Sequence, residues 1–119
     1  MPFDPLEFLT TAKNLSNGNT ESQFRTSISR SYYSVFLLIR DKIETKYGKF
    51  QLKRHGEIHQ KVNDKLLELR LFKIASKLDG LRKNRRDADY FLSLTIGQND
   101  AENSWKLANN IYQLIQASL

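Results

Sequence analysis

An all-α fold, an up-and-down antiparallel bundle of about five helices, follows from three observations on the sequence. Both prolines stand within the first five of 119 residues. No strand-like alternation of apolar and polar residues persists. The five glycines, at 18, 48, 56, 80 and 97, mostly fall where periodic apolar segments end. A chain of this length fits one domain, residues 1–119, and buries roughly two thirds of its unfolded surface without disulfides or metals. Short connections between long helices favour antiparallel neighbours.

The first helix begins at Asp4, with Pro5 at the first helical position and Glu7 completing a capping box, and runs to about Leu15. Ser16 to Asn19 is a loop. Thr20 and Gln23 make a second capping box, and Phe24, Ile28, Tyr32, Val35, Ile39 and Ile43 carry the longest helix to Tyr47, where Gly48 stops it. From Tyr32 to Ile39 this helix is apolar on nearly every side except Ser34, so it is the central pillar. A third helix starts near Gly56, with Ile58, Val62, Leu66 and Leu69 facing inward. The next stripe, Leu71, Ile74, Leu78, Leu81, Arg85 and Leu92, lies roughly 145° out of phase with it, which requires a break near Arg70 to Lys73. The fourth helix tolerates Gly80 at a cost of about 1 kcal/mol and frays near Tyr90 to Ser93. Ile96 to Gln98 is a turn. Asn99 and Glu102 cap a fifth helix with an apolar face of Ala101, Trp105, Ala108, Ile111, Tyr112 and Ile115.

Composition excludes several functions. The chain has no cysteine, which removes disulfides, thiol nucleophiles and thiolate metal sites, and makes the cytoplasm the expected compartment. The N-terminus lacks the layout of a signal peptide, and the longest apolar run, Val35 to Ile39, is far short of the roughly 20 residues that span a membrane. Glycine-rich phosphate loops and the nucleophile-elbow pattern are absent. His55 and His59 stand four apart, but a zinc site needs three or four protein ligands and only Glu57 lies between them, so no metal or other cofactor is expected. The formal charge of +6 is concentrated: residues 49 to 86 carry +8, against +1 before them and −3 after them. Such a concentration favours a polyanion or an acidic partner, the alternative being a solvated lysine-rich face.

Arg85 is the anomaly of the sequence. It occupies the centre of an apolar stripe, where an unpaired guanidinium would cost several kcal/mol, so it must be paired, reach water, or face a ligand or second subunit. Asp89 follows one turn on. Arg82, Lys83, Arg85 and Arg86 form the densest basic cluster, and Arg82, Arg85 and Arg86 can present forked donors to phosphate oxygens. The alternative is an ion-pair lattice, Arg85 with Asp89 and Asp79 with Lys83 and Arg82. Arg30 adds a second arginine beside the apolar run of the central helix. Tyr32, Tyr33 and Tyr90 can stack bases or pack as core with hydrogen-bonded hydroxyls, and His55, beside Lys53 and Arg54, can contact an anion or be solvated.

The order Arg30-Ser-Tyr-Tyr-Ser-Val-Phe, a helix opening at His55-Gly56, a helix ending Leu81-x-x-x-Arg85-x-x-Ala88-Asp89-Tyr90, and a last helix begun by Asp100-Ala101 resembles a HEPN domain over nearly the whole chain. The resemblance implies a helical bundle that dimerises, occurs in toxin–antitoxin and defence systems beside small nucleotidyltransferases, and acts on RNA. Active members of that family cleave RNA without metal, using an arginine followed four to six residues later by histidine. Here Asp87, Ala88, Asp89 and Tyr90 stand in that stretch, with no histidine. General acid and base roles then lack a carrier in the matching position.

The expectation is therefore an RNA- or nucleotide-binding homodimer without the usual ribonuclease activity. Arg30, Arg82, Arg85 and Arg86 would contact phosphate at a cleft edged by the second and fourth helices. Asp89 would orient Arg85, with Tyr90, Tyr33 and His55 in support. The alternatives are a metal-independent ribonuclease toxin using a displaced group, such as His55 or His59, and a protein-interaction module for a nucleotidyltransferase.

Overall fold

A computed structural model describes residues 3–54 and 56–119, and five α-helices without strands stand among them. They are α1 (Leu6–Ser16), α2 (Glu21–Tyr47), α3 (Ile58–Glu68), α4 (Phe72–Tyr90) and α5 (Gln98–Ser118). At 1.5 Å per residue the 27 residues of α2 span about 40 Å. That matches the 42 Å long dimension of the molecule; α1, α4 and α5 pack along this pillar, and α3 packs chiefly on α4.

The helix ends are set by local chemistry. Asp4 Oδ1 accepts the Leu6 N–H at 3.0 Å, which caps α1, although Glu7 does not close a box with it. At α2 the box is complete: Thr20 Oγ1 accepts the Gln23 N–H at 3.2 Å and Gln23 Oε1 accepts the Thr20 N–H at 3.1 Å. Gly48, at φ +97°, ends α2 in a conformation that side chains disfavour. The break between α3 and α4 is a tight elbow. The Leu71 N–H donates to Leu66 O at 2.9 Å and the Arg70 N–H to Leu67 O at 3.0 Å, the Schellman arrangement, with Arg70 itself left-handed at φ +62°.

Two expectations are corrected. The fifth helix begins at Gln98, not after Asn99, because Asp100 Oδ2 accepts the Gly97 N–H at 2.9 Å. Ile96 and Ala101 also pack together across that first turn, a hydrophobic staple that fixes Gly97 as the cap. Leu92 does not extend the buried stripe of α4: it lies past the helix end and is 86 % exposed.

The core forms where α2 meets its neighbours. Tyr32, Val35, Ile39 and Ile43 of α2 pack with Val62 and Leu66 of α3, Ile74, Leu78 and Leu81 of α4, and Ala108, Ile111 and Ile115 of α5. Each fully buried leucine or isoleucine contributes about 1.5–3 kcal/mol. A smaller cluster, Ile28, Ala88, Ile96 and Ala101, closes the end where α4 hands over to α5. There Ser27 Oγ donates to Ala12 O at 2.6 Å, and Gln98 Nε2 to Ser16 O at 3.1 Å, joining α2 and α5 to α1.

Candidate functional site

The stripe that buries Ile74, Leu78 and Leu81 carries Arg85 inward with them, and Arg85 is only 7 % exposed. Aromatic rings meet its charge. The guanidinium carbon lies 5.5 Å from the Tyr32 ring centroid, 5.7 Å from Tyr33 and 5.8 Å from Tyr90. Negative ring faces stabilise the cation by about 0.5–2 kcal/mol each, most where water is excluded. They do nothing for the in-plane N–H donors. Asp89 Oδ2 takes one of these at a long 3.5 Å from Nη1, and Arg85 Nε is buried without an acceptor.

Arg82 stands one turn earlier and also has a buried Nε without an acceptor. It lines a crevice of about 10 Å³ with Tyr32, His59, Asn63, Leu78 and Asp79. The space expected between α2 and α4 thus has α3 as a third wall and holds roughly one water molecule. The ion-pair lattice is only half formed: Arg85 meets Asp89, whereas Asp79 makes no ion pair with Arg82 or Lys83 among the described residues.

His59 is the group the sequence underrated. Its Nδ1 shares a 2.6 Å hydrogen bond with the Tyr32 hydroxyl, and its ring stacks on Phe36 at 4.5 Å. Burial, with the nearby charges of Arg82, Arg85 and Arg40, lowers its pKa from 6.5 to about 4, so the imidazole is neutral at pH 7. Burial likewise raises the Tyr32 phenol well above its usual value. The core reading of Tyr32 therefore holds, and its hydroxyl is satisfied by a histidine from another helix.

The remaining expected residues scatter. Arg30 is half-buried, with its guanidinium 4.7 Å from the Phe8 ring and 5.3 Å from Tyr33, so Tyr33 touches both Arg30 and Arg85. Arg86 is exposed on α4. Tyr90 is 68 % exposed. His55 lies outside the described residues, and among those residues no group of three or more His, Asp or Glu side chains is placed to hold a metal ion. Among the described residues no helix is long and apolar enough to cross a membrane.

Arg25 carries no distinguishing signal in the sequence. Its Nη1 donates to Ala88 O at 2.9 Å and its Nη2 to Leu94 O at 2.6 Å, with longer bonds to Phe91 O and Asp87 O. Glu21 Oε2 holds Arg25 Nε at 2.8 Å. One guanidinium thus caps the carbonyl end of α4 and fastens the loop beyond it, beside Asp89 and Tyr90.

Comparison with known proteins bears on this geometry. The HEPN domain family matches residues 6–118. The uncharacterized protein MJ0992 of Methanocaldococcus jannaschii is 31% identical over 106 residues, covering 76% of this chain and 58% of that protein. The chain thus spans less than two thirds of the length of that relative. No solved structure matches it.

Proposed function

The chain belongs to the HEPN domain family, and from that premise we propose that it binds RNA or a nucleotide through the arginines of α4, without ribonuclease activity of the usual kind. One observation carries the reading: two neighbouring guanidiniums, Arg82 and Arg85, hold buried donors that no protein acceptor satisfies. Unsatisfied donors on a cation are costly; Nε is sealed from solvent, so a phosphate edge would supply the acceptors as these side chains turn outward. Arg30 joins them through Tyr33, and Arg86 extends the charge to the surface. Asp89 orients Arg85, while Tyr33 and Tyr90 confine it. His55, which lies outside the described residues, would add a further contact.

The family context supports a place in a toxin–antitoxin or defence system, as a homodimer with a nucleotidyltransferase partner. The α4 stretch from Arg85 to Tyr90 contains no histidine, which removes the acid–base group of nucleolytic members. A second reading, a ribonuclease with a displaced base, has His59 in its favour, because its neutral ring shares a crevice with Arg82. The same crevice, about 10 Å³, is too small to admit a ribose beside that ring, which counts against cleavage there.

Fluorescence polarisation with a labelled RNA oligonucleotide tests the proposal. Arg85→Ala should weaken binding about tenfold or more and make the slope of log K against log salt shallower by about 0.7 for each phosphate that the arginine neutralises. Unchanged affinity and slope would overturn it. Growth arrest on expression, relieved by Arg85→Ala together with His59→Ala, would instead favour the nuclease.

A further inference from the structure

We infer that the groove between the start of α4 and the end of α5 docks an acidic segment of a partner protein, with an apolar side chain of that segment in the groove and its carboxylates on Arg70 and Lys73. This groove is separate from the arginine site: Phe72 stands about 20 Å along α4 from Arg85 at about 1.5 Å per residue.

The apolar part is formed in advance. Leu71, Phe72 and Ile74 at the start of α4 and Leu114 of α5 line a depression of about 260 Å³, room for a large apolar side chain. Phe72 is 55 % exposed on its edge. A second depression, on the α3 side of that ring, takes in exposed Leu67 with Ala75 and Asp79, so Phe72 is a ridge between two hollows. The Arg70 and Leu71 N–H groups, bonded back to α3, fix the elbow before a partner arrives, which keeps the ordering cost of docking low.

The charge around the groove has one sign. Arg70 and Lys73 line it, and no acid does. Residues 69 to 78 hold these two cations and Lys77 without an acidic residue, and residues 107 to 119 hold no charged side chain. Glu68, the nearest acid in the sequence, is paired with Lys65 at 3.3 Å. Among the described residues Arg70, Lys73 and Lys77 form no ion pair. Carboxylates of a partner therefore meet cations with no like charge beside them.

Backbone strain marks the same spot. Arg70, at φ +62°, is the one non-glycine residue with positive φ among the described residues. Glycine would turn the elbow at lower cost, and the arginine held there has no ion pair in its own chain, so the strain points to a use of its side chain outside the chain. A nucleic acid would also meet the cations, but its bases stack on aromatic faces and gain little from the aliphatic floor of Leu71, Ile74 and Leu114. An apolar side chain flanked by carboxylates uses both floor and rim.

The test uses the full chain and the peptide Glu-Asp-Leu-Phe-Asp-Glu, labelled with fluorescein at its N-terminus and amidated at its C-terminus. Wild type should bind it with a Kd of about 0.3 mM or tighter by polarisation, and amide resonances should move at residues 70–74 and 114–118 but not at 82–90. Replacing Leu-Phe by Ala-Ala in the peptide, or its carboxylates by amides, should weaken binding about tenfold in each case. Phe72→Ala and Lys73→Glu should do the same. Arg70→Gly should weaken binding about fivefold while raising the urea midpoint, the opposite sign to what a damaged fold gives. Phe72 is exposed, so circular dichroism should show native helicity in its alanine variant.

A weaker Kd for wild type, or full affinity in both Phe72→Ala and Arg70→Gly, overturns the proposal. So does a peptide whose affinity survives the loss of its carboxylates. A single-stranded RNA oligonucleotide that displaces the peptide and moves the same amides would assign the face to nucleic acid, and a dimer that dissociates on Phe72→Ala would assign it to a second copy; either result overturns the proposal.

Discussion

Replacing Arg25 by alanine removes one side chain from the first turns of α2 and takes its guanidinium from four carbonyls elsewhere, of which Asp87 O and Phe91 O keep a backbone donor. The final carbonyls of α4 have no partner within the helix; Arg25 supplies one at Ala88, at 2.9 Å, and also holds Leu94 O in the loop beyond, at 2.6 Å. Hydrogen bonds to charged groups contribute about 1.5–3 kcal/mol each. The contacts to Phe91 and Asp87, at 3.3 to 3.5 Å, add little. Two strong bonds therefore give about 3–6 kcal/mol before offsets. Water reaches the freed carbonyls, and the released arginine regains up to about 2 kcal/mol of rotamer entropy. The net loss is about 2–3 kcal/mol. With an unfolding entropy of about 2.1 cal/mol/K per residue, that lowers the melting temperature of a 119-residue chain by about 8–12 °C. Arg25→Lys should recover less than half, since an ammonium cannot fork between Ala88 and Leu94. Glu21→Ala should cost under about 1 kcal/mol, because the carboxylate of that pair is exposed. Urea unfolding gives the stabilities, and hydrogen exchange should show the Phe91 and Leu94 amides losing protection first. A loss below about 0.5 kcal/mol for Arg25→Ala, or equal behaviour of the lysine variant and wild type, would mean that the forked guanidinium does not hold the end of α4.

Two further substitutions probe the remainder of the structure. His59 has a folded pKa of about 4 against 6.5 unfolded, so the unfolded chain takes up a proton in this window that the native state refuses. Stability should fall as pH drops from 6.5 toward 4; the full effect is about 3 kcal/mol, and solvent access to the ring reduces it to about 1–2. His59→Gln should flatten that part of the pH profile relative to wild type, and parallel profiles would sink the assignment. Arg70→Gly should raise stability by about 0.5–1 kcal/mol in urea unfolding, because glycine takes the left-handed elbow without the Cβ penalty. A destabilised glycine variant would mean that the arginine side chain makes a contact worth more than the strain.

What was legible in the sequence was local. Thr20 and Gln23, Gly48 and the phase break at Arg70 all signal within a few residues, and each marks a real helix end. Errors arose where a local signal met a competitor. Asn99 is a better capping side chain than Gly97, but Asp100 and the Ile96–Ala101 staple decide the start of α5. Leu92 fits the wheel of α4 only if the helix continues past Tyr90, and Arg25 ends that possibility by fastening Phe91 and Leu94. The site was legible as an anomaly but not as a geometry. Arg85 announced itself by interrupting a stripe. The tyrosines that surround it come from α2 and its own last turn, and nothing in their spacing specifies which ring faces the cation. Arg25 gave no signal, since its partners lie more than 60 residues away. His59 carried no pattern that pointed to Tyr32, 27 residues before it.

The elbow at Arg70 and the bond from His59 to Tyr32 lie at opposite ends of α3, and together they make that helix an outrigger fastened at two points. Between them it leans chiefly on α4. Acid brings a positive charge onto His59 facing Arg82 and Arg85, across the seam that holds the outrigger in place. The first casualty of low pH is then the attachment of one helix, with the pillar and its other neighbours still assembled. Hydrogen exchange should then show the α3 amides losing protection at acid pH before those of α2.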